Sequence, residues 1–102
     1  MRPCYNRRMM VGACLIELHL PGVQSLKGKR RSLKSLRARL RREFNLAVAE
    51  VGHNDLWRSA QIALVAVANE RAPIEAQLQR AIVWIERNRP DLDVVDFQIE
   101  WR

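Results

Sequence analysis

Cysteine is scarce: the 102 residues hold two, Cys4 and Cys14. Two cannot build the disulfide framework of a small secreted domain, and their spacing is not that of a zinc-binding CxxC pair. Cys14 lies within an apolar run and reads as a small buried hydrophobe, which fits a reducing, cytoplasmic setting. Long apolar runs are also missing, and nothing approaches the roughly 20 residues of a membrane-spanning helix. The arginines and apolar stretch near the N-terminus imitate a secretory leader, but Glu17 and His19 interrupt the stretch and no small-residue cleavage site follows. No partner membrane is expected. No Walker A, GxGxxG, HExxH or GxSxG pattern occurs. The apolar segments 10–20 and 59–69 contain no Phe or Tyr. That excludes the aromatic sheet surface on which RRM domains hold single-stranded RNA.

Acidic residues are absent from one stretch in particular. Residues 25–42, SLKGKRRSLKSLRARLRR, contain nine Lys or Arg among eighteen residues and no Asp or Glu. The whole chain carries a formal charge of +7. Residues 1–42 hold twelve basic residues and one acid, for a net of +11, whereas residues 43–102 hold six and ten, for a net of −4. Such segregation points to a basic face for nucleic acid or an anionic membrane surface, with acidic surface elsewhere. The plainer reading is a surface whose charge serves solubility. Apolar content of 48% and charged content of 28% fit one globular domain with a single core. Residues 1–9 read as a flexible basic extension, with Met9 or Met10 as a possible true start, and residues 10–102 as the domain.

Periodicity supplies the elements. Residues 10–20 alternate, with Gly12, Cys14, Ile16, Leu18 and Leu20 on a wholly apolar face and Val11, Ala13, Leu15, Glu17 and His19 on a mixed one. Pro21-Gly22 makes a turn. Residues 26–44 follow helical period, with Leu26, Leu33, Leu36, Leu40 and Phe44 on one stripe and Ser25 as N-cap. Residues 45–51 form a strand, and Gly52-His53-Asn54-Asp55 a turn. Residues 59–69 are apolar on both faces, as in a central strand. A second helix over 72–88 begins near Pro73 and turns Ile74, Leu78, Ala81, Ile82 and Ile85 inward; Asn88-Arg89-Pro90 ends it. Residues 93–101 alternate as a last, half-exposed strand, with Val95, Phe97, Ile99 and Trp101 on one side and Val94, Asp96, Gln98 and Glu100 on the other. The order β-α-β-β-α-β predicts an α+β, ferredoxin-like fold: a four-stranded antiparallel sheet with two helices on one face.

On the first helix, Arg30, Lys34, Arg37 and Arg41 fall within an arc of roughly 60° beside the leucine stripe. Their i,i+4 repulsions cost a few tenths of a kcal/mol each. Lys27, Lys29, Arg30 and Arg31 crowd the N-terminal half, where the helix dipole disfavours cations. A phosphate backbone would relieve both penalties. Lys27, Arg30, Arg31, Lys34, Arg37 and Arg41 are therefore the candidate RNA-binding residues. The partner expected is RNA or a ribosomal particle, bound through phosphates without an enzymatic step.

Other groups read structurally. His53 and Asp55 have the types of a base and its orienter, but no nucleophile motif lies beside them. The simpler account is a turn in which Asp55 bonds backbone N–H groups and Trp57 anchors the loop. Glu17 and His19, with Glu50 or Gln61, form a polar patch on the open side of the sheet, solvated or meeting a partner subunit rather than a metal. No cofactor or metal is expected. With Leu15, Val65 and Val67, that open face suits a homodimer, and a dimeric interaction or regulatory module is the alternative function.

These residues also resemble a known family. Glu17-Leu18-His19, Ser25-Leu26-Lys27, Lys29-Arg30, Phe44-Asn45, Ala49-Glu50-Val51, His53, Asp55-Leu56-Trp57 and Val67 to Asn69 are similar to the YlxP-like family, a bacterial domain of unknown function. The similarity runs from residue 10 to about 101. It implies a ferredoxin-like fold and a genomic setting among translation and ribosome-maturation genes, with no established activity. The family pattern carries an acid where this chain has Gly28, and another at Gly52. The first departure removes a capping-box acid after Ser25, which makes the first helix more basic and its first turn less stable.

Overall fold

A computed structural model describes residues 9–102, so the expected N-terminal extension, apart from Met9, lies outside the described residues. Six elements follow in order: β1 (Met10–His19), α1 (Leu26–Glu43), β2 (Ala47–Gly52), β3 (Ser59–Ala68), α2 (Arg71–Asn88) and β4 (Asp93–Trp101). The strands form one antiparallel sheet in the order β2-β3-β1-β4. This is the ferredoxin-like α+β arrangement that the periodicity predicts.

The core is the sandwich between the two helices and one sheet face. Cys14, Ile16, Leu18 and Leu20 of the first strand and its exit, Ala60, Ile62, Leu64 and Ala66 of β3, and Val48 of β2 are all buried. Leu33, Leu36 and Leu40 from α1 and Ile74, Leu78, Ala81, Ile82 and Ile85 from α2 close over them. Burying one of these Leu, Ile or Val side chains fully stabilises the fold by about 1.5–3 kcal/mol. The outer stripe residues Leu26 and Phe44 are only half-buried. Gly12 sits where α2 and β4 meet β1; a Cβ there would lie 2.5 Å from Ile74 Cγ2 and 3.0 Å from the Trp101 ring. The missing side chain is what lets the layers approach.

The predicted caps and stops hold. Gly28 N–H donates to Ser25 Oγ at 3.0 Å, with no acid in the first turn to complete a reciprocal cap. The helix ends where Phe44 N–H donates to Leu40 O. Arg89, just past α2, reaches back to α1: it donates to Ser32 O and Ser32 Oγ and pairs with Asp91 at 3.0 Å. The hydrogen bond from Arg89 holds the Asp91 carboxyl below its usual range.

Two strand details differ from the sequence reading. In β4, Leu18 pairs with Val94 and Glu17 with Asp96, so Val95 is an extra residue opposite a shifted register. Val94 is consequently half-buried, while Val95 is 66% exposed and does not continue the regular alternation with Ile99 and Trp101. A bulge of this kind resets the alternation that a regular strand would keep. The β2 strand begins at Ala47 rather than residue 45 and has a similar shift, with Val51 lying between the paired Glu50 and Gly52.

Candidate nucleic-acid interface

The leucine stripe fixes how α1 lies on the sheet, and the remaining residues of the helix follow from that orientation. Lys27, Arg30, Arg31, Lys34, Arg41 and Arg42 are exposed, and Arg37 is half-buried. None of these seven makes an ion pair with a carboxylate among the described residues. The helix thus brings all six sequence-predicted RNA-binding residues onto one element, with the like-charge repulsion left in place.

Three cations of α1 have other partners. Arg39 stacks over the Trp84 ring at 5.2 Å and meets Glu43 at 3.8 Å, so it joins the two helices. Arg41 donates to Val48 O at 2.9 Å, placing its guanidinium against the edge strand β2. Covering an edge carbonyl with a charge discourages pairing by another strand. Arg41 therefore does not simply point away from the body of the protein, although its side chain stays at the surface.

Lys29 departs most from expectation. Counted by sequence among the crowded cations of the first turns, it is 1% exposed. Its ammonium donates to His53 O and, at 2.7 Å, to Leu56 O. Glu50 Oε2 stands 3.2 Å away, a charge contact outside good hydrogen-bond geometry, since that oxygen is buried and accepts no hydrogen bond. Two carbonyl acceptors and one nearby carboxylate surround the ammonium. The repulsion expected at this position is thereby offset, whereas at Lys27, Arg30 and Arg31 it is not. The spacing offered a signal: Lys29, Leu33, Leu36 and Leu40 form a continuous inward row at i, i+4, i+7 and i+11.

These three groups belong to β2 and the turn that follows it, so Lys29 locks this turn to α1. His53, at φ 60°, takes the left-handed conformation that L residues seldom adopt. Its Nε2 meets Glu17 Oε2 at 2.9 Å, and Gln61 Nε2 donates to Glu17 Oε1 at 2.8 Å. The polar patch on the open sheet face is thus Glu17, Gln61 and His53, without Glu50, which faces Lys29. Gly52 makes room for it, because a Cβ there would fall 2.2 Å from Gln61 Oε1. His19 pairs separately, with Asp93 at 3.5 Å. The imidazole of His53 is engaged by Glu17 rather than oriented by Asp55.

Trp57 also departs from its expected role as anchor. It is 49% exposed and Leu56 is 51% exposed. The turn is held instead by Lys29, by Leu56 N–H donating to His53 O at 3.1 Å, and by Arg58, whose Nε donates to Val23 O at 3.3 Å. Leu56, Trp57, Arg58 and Ser59 line an open hollow of about 300 Å³.

Among the described residues, no group of three or more His, Cys, Asp or Glu side chains is gathered for a metal ion. No described helix is long and apolar enough to cross a membrane. Cys14 is wholly buried, and that burial pushes its thiol up to about 11.

Comparison with known proteins places this fold and these residues in a family. The family described as "Protein of unknown function (DUF503)" matches residues 11–99. The "Uncharacterized protein YlxP" of Bacillus subtilis (strain 168) is 30% identical over 92 residues, covering 90% of this chain and 99% of that protein. Among solved structures, the "De novo designed protein Foldit4" superposes with a TM-score of 0.52 at 16% identity, over 92% of this chain and 96% of that one, a likeness of fold alone. With the family pattern matched along most of its length and a relative aligned nearly end to end, the chain belongs to the YlxP-like DUF503 family.

Proposed function

We propose that this protein is a non-enzymatic, cytoplasmic RNA- or ribosome-associated protein that binds the phosphate backbone through α1. One observation carries the reading: seven cations stand along a single helix without a carboxylate partner among the described residues. A helix selected for stability alone would intersperse acids at i,i+4, gaining a few tenths of a kcal/mol per pair. Phosphates supply the missing countercharge, and Arg suits them by its planar fork of donors. Acids gather elsewhere, with Asp93, Asp96 and Glu100 on β4 and no basic residue in that strand. On α1 itself the one acid is Glu43, at the C-terminal end and paired with Arg39, so the rest of the helix presents positive charge and favours one orientation of approach. The translation setting implied by the family resemblance agrees with this reading.

The test reverses two exposed cations that make no hydrogen bond to the protein body, Arg30 and Lys34. Arg37 and Arg41 suit it less, being half-buried and bonded to Val48 O respectively. Arg30→Glu with Lys34→Glu should weaken binding to structured ribosomal RNA across sequences. The dependence of log K on log salt should become shallower by about 0.7–0.9 for each contact removed. Equal binding and equal salt slopes for wild type and double variant would refute the proposal.

A further inference from the structure

We infer that the turn between β2 and β3 is a base-stacking platform, on which Trp57, with Leu56 beside it, takes an unpaired nucleobase of an RNA whose phosphates lie along α1. The inference rests on the phosphate reading of α1 and adds to it a preference for unpaired over paired RNA.

Trp57 and Leu56 are adjacent, large and apolar, and each is about half exposed. They are not on a loose segment. The Leu56 carbonyl is bound by the buried Lys29 ammonium, Leu56 N–H is bound to His53 O, and Arg58 O accepts from Leu20 N–H at 2.8 Å. The backbone on both sides of Trp57 is therefore fixed while its indole stays in water. A ring carried on a fixed backbone has less freedom left to lose on binding, which favours affinity. The hollow of about 300 Å³ lined by Leu56, Trp57, Arg58 and Ser59 lies at the lower end of the size of small-ligand sites, about 300–1,000 Å³.

The same hydrogen bonds fix where the indole lies. Lys29 belongs to the first turns of α1, flanked in sequence by Lys27, Arg30 and Arg31, all exposed. Arg58 follows Trp57 directly and is exposed, with Nε on Val23 O. Acids also lie at this turn: Asp55 within it, Glu17 on His53 and Glu50 beneath Lys29. What calls for an anionic occupant is therefore α1, to which Lys29 ties the turn, so that an RNA whose phosphates follow the helix passes the ring. The ring offers its unpaired bases a flat apolar face, with sequence tolerance because every base has a π-face. A second copy of this chain fits poorly, since a two-fold contact here would bring the N-terminal halves of two basic helices together.

The experiment compares a blunt RNA duplex with the same duplex bearing a single-stranded tail, both fluorescently labelled, using wild type, Trp57→Ala and Trp57→Phe. Wild type should favour the tailed RNA. Trp57→Ala should lose about ten-fold in affinity for the tailed RNA and nothing for the blunt one, and Trp57→Phe should recover most of the loss. Duplex binding with no effect of Trp57→Ala on the tailed RNA would overturn the platform and leave the α1 reading standing. Wild type binding neither RNA at low salt would overturn both. A wild-type dimer that Trp57→Ala converts to monomer, without RNA, would give the surface to a second copy and also overturn the platform.

Discussion

Lys29 and Glu50 face each other at 3.2 Å beneath the β2–β3 turn, one on the basic helix and the other on the edge strand of the sheet. The contact links the most cationic element to the loop that carries Trp57. Removing one member leaves the other charge without its partner, a loss of about 3–5 kcal/mol for a fully buried pair. The Glu50 side chain is 25% exposed, so Lys29→Met should cost about 3 kcal/mol, at the low end of that range. It also strips two carbonyls, His53 O and Leu56 O, of their donor. Urea denaturation should show a lower midpoint with an unchanged slope. In a double-mutant cycle, Glu50→Gln should cost less in the Lys29→Met background than in wild type. Equal costs would mean that the two side chains do not interact.

Gly12 and Ile74 set the distance between β1 and α2. A Cβ at residue 12 would lie 2.5 Å from Ile74 Cγ2, with the Trp101 ring at 3.0 Å on the other side. Gly12→Ala should therefore destabilise the fold by about 1–3 kcal/mol through overpacking, despite the usual gain from replacing glycine within a strand. Pairing it with Ile74→Val, which trims that side chain, should return part of the loss. Thermal melting of the three variants checks this, and an unchanged melting temperature for Gly12→Ala would mean that the layers can move apart freely.

Most of the fold was legible because its elements have clean periods: α2 buries the five residues its helical spacing names, and β1 buries alternate residues along its length. The β4 register was not legible. Its alternation is broken by a bulge that depends on the pairing with Glu17 and Leu18, and a single strand's sequence carries no sign of its partner's register. The basic row of α1 was legible as a charge pattern, but one of its members, Lys29, is buried. Charge type argued for the surface while position in the leucine row argued for the core, and the row prevailed because Glu50 and two carbonyls were available to the ammonium. Trp57 failed in the opposite sense. An aromatic after a turn usually packs inward, yet here the turn is already held by Lys29, which leaves the indole outside.

Cys14 should be chemically silent. It is fully buried, and its thiol is pushed up to about 11 by that burial. At pH 8 the folded protein therefore presents almost no Cys14 thiolate, the reactive form. In a Cys4→Ser variant, a disulfide reagent should label no thiol until denaturant is added. The sign for stability follows from the raised value: the folded state keeps a proton that the unfolded state gives up. The contribution of Cys14 is thus fully present below about pH 9 and is lost as pH rises towards 11. Cys14→Ala should flatten that alkaline decline in urea midpoint. Rapid labelling of the native Cys4→Ser protein at pH 8 would contradict this account.

The open face of the sheet should make a symmetric dimer. Neither helix covers it, and the register places its apolar residues side by side: Val11 opposite Val67, Ala13 opposite Val65, and Leu15 opposite Ala63, with Ala47 and Ala49 continuing onto β2. Val67 is 63% exposed. Towards the other end, Glu17 is already held by His53 and Gln61, so burying it would leave its carboxylate with partners. A two-fold axis across the apolar end would join the sheets of two copies and keep both basic helices on the outside, away from one another and available to RNA. Val67→Asp should abolish such a dimer by burying an unpaired charge in each copy, while circular dichroism stays unchanged because the side chain is at the surface. Sedimentation equilibrium measures the outcome directly: a concentration-dependent dimer for wild type and a monomer for Val67→Asp are expected. A wild-type protein that remains monomeric at high micromolar concentration would leave the open face to solvent or to a different partner, and the RNA binding proposed for α1 would then be tested on a single copy.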